Sequence, residues 1–145
     1  MMKQTQYKLQ NTIATGATTG QTFSTKPIRG TIVAIYIQFT NTTPGSSSDR
    51  DVNIYEMNPF DDDDKADALQ EILNIGTLGA APADDNGVYY PRRAAQDITG
   101  TNLVFIASGE IIPVRFEVFG HKLLLDITAA AAGDITTAYV VVEEF

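Results

Sequence analysis

Cysteine is absent from all 145 residues. That excludes disulfides, zinc–thiolate sites, iron–sulfur clusters and a cysteine nucleophile. Histidine occurs once, at His121. A two-histidine metal site within one chain is therefore excluded, and histidine acid–base chemistry would have to run through that single residue. Tryptophan is also missing, so any sugar-stacking platform would fall to tyrosine. No glycine-rich phosphate loop, GxSxG or HExxH motif occurs. The longest strongly apolar run is IVAIYI at 32–37, far short of the ~20 residues that cross a bilayer. The opening MMKQTQYKLQ lacks the apolar centre of a signal peptide. These absences predict a soluble, non-enzymatic protein made in the cytosol, with no membrane partner.

What remains is globular. Apolar residues make up 43% and charged residues 19%, and a chain of this length buries roughly 68–70% of its unfolded surface. One domain spanning 1–145 is expected, since neither a linker nor a repeat of 20–50 residues interrupts it. The net charge of −8 argues against nucleic acid as a partner. That charge is uneven. Residues 1–48 hold Lys3, Lys8, Lys26 and Arg29 and no acid, while 49–85 hold nine Asp and two Glu against Arg50 and Lys65. An acidic, solvated insertion is expected at about 58–87, because blocks of like charge repel one another.

Most of the chain alternates apolar and polar residues, the signature of strands with one buried face. In 31–40, Val33, Ile35, Ile37 and Phe39 share a face opposite Ala34, Tyr36 and Gln38, as in a long central strand. In 111–120, Ile112, Val114, Phe116 and Val118 alternate with Pro113, Arg115 and Glu117, with the proline at a strand start or sheet edge. Leu123, Leu125 and Ile127 point inward from 122–128, and Gly120-His121 predicts a hairpin turn between these two strands. The β-branched run 135–144 closes the series after an alanine-rich turn at 129–134. Shorter strands are expected at 5–14, 21–25, 51–57 and 103–107. Loops are expected at 41–49 and 78–87. One stretch departs from this pattern. Ala68, Leu69, Ile72 and Leu73 recur at helical spacing, acids precede them and Gly76 follows, which predicts a short amphipathic helix near 64–75. The fold class is therefore all-β: an antiparallel, jelly-roll-like β-sandwich carrying one short helix.

Few residues suggest chemistry. The run Asp61–Asp64 offers carboxylates, but calcium loops space their ligands at alternating positions around a glycine, so a solvated loop is expected and no metal. His121 is expected to be an exposed turn residue. Glu110, Glu117 and Asp126 offer carboxylates for a glycosidase-like pair, whose separation only a structure can test. Arg92 and Arg93, following Tyr89 and Tyr90, combine the residue types that anchor protein interfaces. The same four side chains would also suit a glycan.

Three stretches together resemble the head decoration, or cement, proteins of tailed bacteriophages. They are KPIRGTIVAIYIQFTN (26–41), NGVYYPRRAAQD (86–97) and HKLLLDITAAAAGDITTAYVVVEE (121–144), about 50 of the 145 residues. The acidic segment matches no part of the pattern. The resemblance implies a non-enzymatic virion protein without cofactor, assembled after synthesis in the host cytoplasm. It also implies a homo-oligomer, a trimer before a dimer, that binds the major capsid protein and bridges capsid subunits on the outer surface of the shell. The basic Lys3, Lys8, Lys26 and Arg29 are expected to face that shell, with Tyr89, Tyr90, Arg92 and Arg93 at a second contact. The competing expectations are a tail or fibre domain that recognises host-surface glycans, and a hydrolase built on Glu117 and Asp126.

Overall fold

The structure, a computed structural model, describes residues 3–40, 50–60, 65–75, 87–96, 98–103, 110 and 112–144. The Asp61–Asp64 run, the loop at 41–49, nearly all of that at 78–87 and most of the strand expected at 103–107 lie outside the described residues.

Among the described residues eleven strands form in chain order: β1 (Lys3–Thr12), β2 (Gly20–Phe23), β3 (Ile28–Thr40), β4 (Asp51–Met57), β5 (Ala68–Ile75), β6 (Gly87–Tyr89), β7 (Arg92–Ala94), β8 (Pro113–Arg115), β9 (Glu117–His121), β10 (Leu123–Thr128) and β11 (Ile135–Glu144). The first sheet runs β1-β11-β3, and the remaining edge of β3 takes β9 along Ile28–Thr31 and β6 along Ile35–Ile37. The second sheet runs β2-β10-β4-β5, and β7 with β8 makes a separate two-stranded ribbon.

Counted inwards from the two ends of the chain, β1 pairs with β11, β2 with β10, β3 with β9 and β4 with β5, all antiparallel. The chain is thus one long hairpin of paired strands, rolled up so that β11 also meets β3 and β10 also meets β4. That is the jelly-roll arrangement of an all-β sandwich. The sheets close over a single apolar cluster that includes Leu9, Ile35, Ile37, Ile54, Leu125, Ile127, Val140 and Val142. The β7–β8 ribbon lies in the connection from β5 to β9, outside this nested set.

The expected helix near 64–75 is not formed. Lys65–Asp67 makes one 3-10 turn and Ala68–Ile75 is strand β5. Its register explains the misleading spacing. Ile54 faces Leu73 and Tyr55 faces Glu71, so Ile72 is an extra residue; Glu56 faces Gln70 and Met57 faces Ala68, so Leu69 is another. Each β-bulge shifts the alternation by one, and two bulges turn a period of two into an imitation of helical spacing. Part of the acidic stretch 58–87 is therefore a strand of the sandwich itself.

Three further expectations change. Val33 is the extra residue of a bulge against β11, so inward positions switch there from Ile28, Gly30 and Ile32 to Ile35, Ile37 and Phe39. The stretch 111–120 is split at Phe116, and Val114 faces outward while Phe116 and Val118 stay buried. Gly120-His121 is not a hairpin turn, because β9 belongs to the first sheet and β10 to the second. The chain crosses between layers there, with Gly120 at φ 86°.

Two local devices hold the ends of the sandwich. Gly30 sits at φ 148°, and a Cβ there would meet the Glu143 carbonyl oxygen and the Val142 side chain. Only glycine lets β11 lie this close. At the other end Arg50 and Asp134, both almost fully buried, form an ion pair at 3.2 Å. Arg50 also donates to the Ile135 carbonyl and the Thr136 hydroxyl, each at 3.1 Å, and lies 5.0 Å from the centre of the Phe39 ring. Asp134 accepts the Ala131 N–H at 3.0 Å, which shapes the turn between β10 and β11.

Replacing Asp134 by Ala removes the carboxylate that faces the buried Arg50 guanidinium. A loss of about 3–5 kcal/mol in urea unfolding is expected, with a smaller loss when Arg50→Met and Asp134→Leu are combined. Gly30→Ala should cost more than ~1 kcal/mol in the same assay, since the position combines a positive φ with a blocked Cβ.

Candidate protein-interaction surface

The end of the sandwich where β4 finishes and β5 begins carries a continuous polar chain. Glu56, 3% exposed, is the buried centre. One carboxylate oxygen meets His121 Nδ1 at 2.5 Å and the other accepts from Gln70 Nε2 at 2.6 Å. The same amide nitrogen reaches the Glu117 carbonyl at 3.3 Å, and the Gln70 carbonyl oxygen accepts from Arg93 at 3.4 Å. Arg93 also donates to the Gln96 side-chain oxygen at 3.4 Å, and Gln96 in turn donates to Asn102 at 3.0 Å. Side chains from β4, β5, β7 and β9 are thereby linked, and the β7–β8 ribbon is tied to the sandwich.

A groove of about 580 Å³ opens beside this chain, with Gln70, Arg93, Arg115 and Glu117 among its polar lining. Its apolar lining includes Leu69, Val114 and Phe119, which are 52%, 38% and 58% exposed. Each is exposed for a reason visible in the register. Leu69 is the bulged residue of β5, Val114 faces Arg93 across the ribbon, and Phe119 alternates with the buried Val118 on β9. Apolar groups held in water by the backbone, rimmed by arginines, have the composition of a protein contact.

Two guanidiniums, those of Arg93 and Arg115, line the groove. Arg92 lies directly opposite Arg115 on the ribbon, a like-charge placement that disfavours pairing. Arg115 is relieved by Glu143 at 3.6 Å. Arg92 donates to the Pro91 carbonyl at 2.7 Å, and Arg93 to the two amides already named. Neither meets a carboxylate among the described residues.

The other residues singled out from the sequence are dispersed. Tyr89 faces inward and packs against the core, while Tyr90 is 63% exposed. Neighbouring positions on a strand point to opposite faces, so the two rings do not form the platform that a glycan would need. Lys3 lies opposite Glu144, at 4.0 Å, and Lys8 sits on the outer face of the first sheet opposite Tyr139. Lys26 is exposed in the turn between β2 and β3, and Arg29 is exposed on β3 opposite Phe119. The four basic residues of the first third thus spread over several surfaces, and β1 is laid against the acidic end of β11.

His121 is not an exposed turn residue. It ends β9, pairs with Ile28, and keeps only 21% of its side chain in water because Glu56 holds it. Glu117 and Asp126 are not brought together either. Glu117 lies on β9, whereas Asp126, on β10 of the second sheet, is held by Gln21 at 3.2 Å and Lys65 at 3.4 Å. Among the described residues no three histidine, cysteine or carboxylate side chains converge as a metal site would require. Sequence reasoning found Arg92 and Arg93 but missed Glu56, Gln70, Arg115 and Phe119. Of these only Phe119 carried a signal, as the apolar residue on the polar face of its strand.

No family model and no curated protein matches the chain. Two solved structures show a distant likeness. The crystal structure of the infectious bursal disease virus VP2 subviral particle is 11% identical, with a TM-score of 0.29 over 97% of this chain and 40% of that one. The structure of the Gx strain of infectious bursal disease virus is 10% identical, with a TM-score of 0.27 over 98% of this chain and 40% of that one. The chain thus spans 40% of the length of either structure.

Glu56→Ala removes the acceptor that His121 and Gln70 share. A loss of about 1–3 kcal/mol is expected from the stranded donors, read from urea unfolding, with a smaller loss for the more exposed Gln70→Ala.

Proposed function

We propose that the protein is a virion structural protein that decorates the outer surface of an icosahedral capsid and stabilises it by bridging capsid subunits. The observation that carries this reading is the groove end of the jelly roll. There Leu69, Val114 and Phe119 stand exposed beside Arg93 and Arg115. Such a surface suits an acidic, partly apolar protein partner, and the reading assigns that role to the major capsid protein. A jelly-roll sandwich alone would not justify it, because one fold hosts many functions.

The mechanism is mechanical. Each copy buries surface on more than one shell subunit, so opening the shell must break those added contacts as well. Attachment as a homo-oligomer on a symmetry axis multiplies modest individual contacts through effective concentration. Aromatic and arginine side chains at the contact centre supply most of the energy, with Phe119 and Arg93 as the anchors here.

The test is co-sedimentation with empty shells of the virus that encodes the protein. Phe119→Asp combined with Arg93→Glu should weaken binding by about tenfold or more, since two anchors are lost. Reversing Lys3, Lys8, Lys26 and Arg29 to Glu probes a shell-facing role for the basic first third. Undiminished binding by both variants would overturn this docking surface, and absence of binding by the unaltered protein would overturn the function.

A further inference from the structure

Part of the outer face of the first sheet, beyond the row of Gln4, Glu143 and Thr31, is nearly free of charge in a protein of net charge −8. Register places four rows of side chains on it. Gln6, Val141 and Ala34 form one row, and Lys8, Tyr139, Tyr36 and Val88 the next. Gln10, Thr137 and Gln38 follow, then Thr12, Ile135 and Thr40. Among the described residues of these rows Lys8 carries the one charge, and it lies on β1, at the rim of the sheet. Tyr36 and Val88 are each 44% exposed, and they border a depression of about 440 Å³ with Gln6, Gln38 and Tyr139.

We infer that this face packs against the same face of a second copy, forming a two-fold dimer. Three observations select a second copy as the occupant. Two chains of net charge −8 repel each other, and these uncharged rows let them approach with the nearest carboxylate of the face, Glu143, at the margin and bridged to Arg115. Tyrosine, glutamine and threonine each donate and accept hydrogen bonds, so rows built from them complement their own rotated image, as an isologous contact requires. The size also fits. Three strands about 4.8 Å apart and seven residues at about 3.4 Å each, with Val88 of β6 beside them, give a footprint of roughly 15 by 25 Å. Two such faces bury roughly 800 Å², the size of a weak, reversible contact. Sheet faces stack about 10 Å apart, close enough for Tyr36 of one copy to enter the depression of the other. The dimer is separate from the groove end, and the inference does not depend on the virion reading.

The experiment is sedimentation of the unaltered protein at about a hundred micromolar, where a contact of this size should hold. The expected mass is twice the 15.7 kDa of the chain. Tyr36→Glu combined with Val88→Glu should weaken the dimer by about tenfold or more while leaving the thermal melt in place. Because the chain has no cysteine, Gln38→Cys and Asn74→Cys each create a unique thiol, on the outer faces of the first and second sheets. A short bis-maleimide should join two copies through Gln38→Cys and not through Asn74→Cys. A monomeric mass, a trimeric mass, or crosslinking through Asn74→Cys in preference to Gln38→Cys would each overturn the inference. Shell co-sedimentation, read separately, shows whether the virion reading fails with it.

Discussion

Strand β11 is hydrogen-bonded along both edges, to β1 over all ten of its residues and to β3 over most of them. Strand β11 therefore sits between β1 and β3, and β1 joins the first sheet only through it. Its inward side chains Thr136, Ala138, Val140 and Val142 are buried, so one strand carries both the ladder and a layer of core. Pairing residues this far apart in sequence costs loop-closure entropy before it returns any contact. The nested order of strands reduces that cost, because each inner pair brings the next outer pair within reach. The β4–β5 and β3–β9 pairs are closed before β1 and β11 need to meet.

That register also settles the charge. Along the sequence the first 48 residues carry no acid, and Glu143 and Glu144 stand far from them on β11. In space β1 and β11 run side by side, Lys3 lies against Glu144, and the Tyr7 hydroxyl reaches the same carboxylate at 2.7 Å. That hydrogen bond holds the Glu144 carboxyl below its ordinary range, and with burial it raises the Tyr7 phenol. Charges that are segregated in sequence are thus interleaved by topology. A net charge summed over a segment says little about the face that the segment presents.

Period-two alternation made much of the fold legible. Strand β4 forms over 51–57, the residues marked for it, and β3, β10 and β11 lie where β-branched residues alternate or crowd. Two of the misses, the face of β3 and the helix expected over β5, share one cause. A β-bulge is a decision about pairing, and it leaves no mark in a strand's own sequence. The bulge at Val33 shifted the buried face of β3, and those at Leu69 and Ile72 made β5 look helical. The same limit governs the site. Arg92 and Arg93 could be singled out as a pair, but Arg115 joins them only through the β7–β8 register. The bond between His121 and Glu56 spans 65 positions and two sheets, and neither residue hints at the other.

The two surfaces differ in the physics that keeps them open. At the groove end the backbone strands apolar side chains in water. Leu69 is displaced by a bulge, Val114 by a ribbon outside the sandwich, and Phe119 by alternation with a buried neighbour. Burying any of them internally would require undoing a pairing that Glu56, Gln70 and Arg93 hold in place. On the outer face of the first sheet the ladders of β11 are already paired on both sides, so there only side chains remain to be satisfied. Those side chains are uncharged amides, hydroxyls and rings, which lose little when they leave water for partners of their own kind. An arginine-rimmed apolar groove favours a partner of opposite charge, whereas a neutral face favours one with nothing to repel. A protein that has both is suited to holding two different neighbours at once.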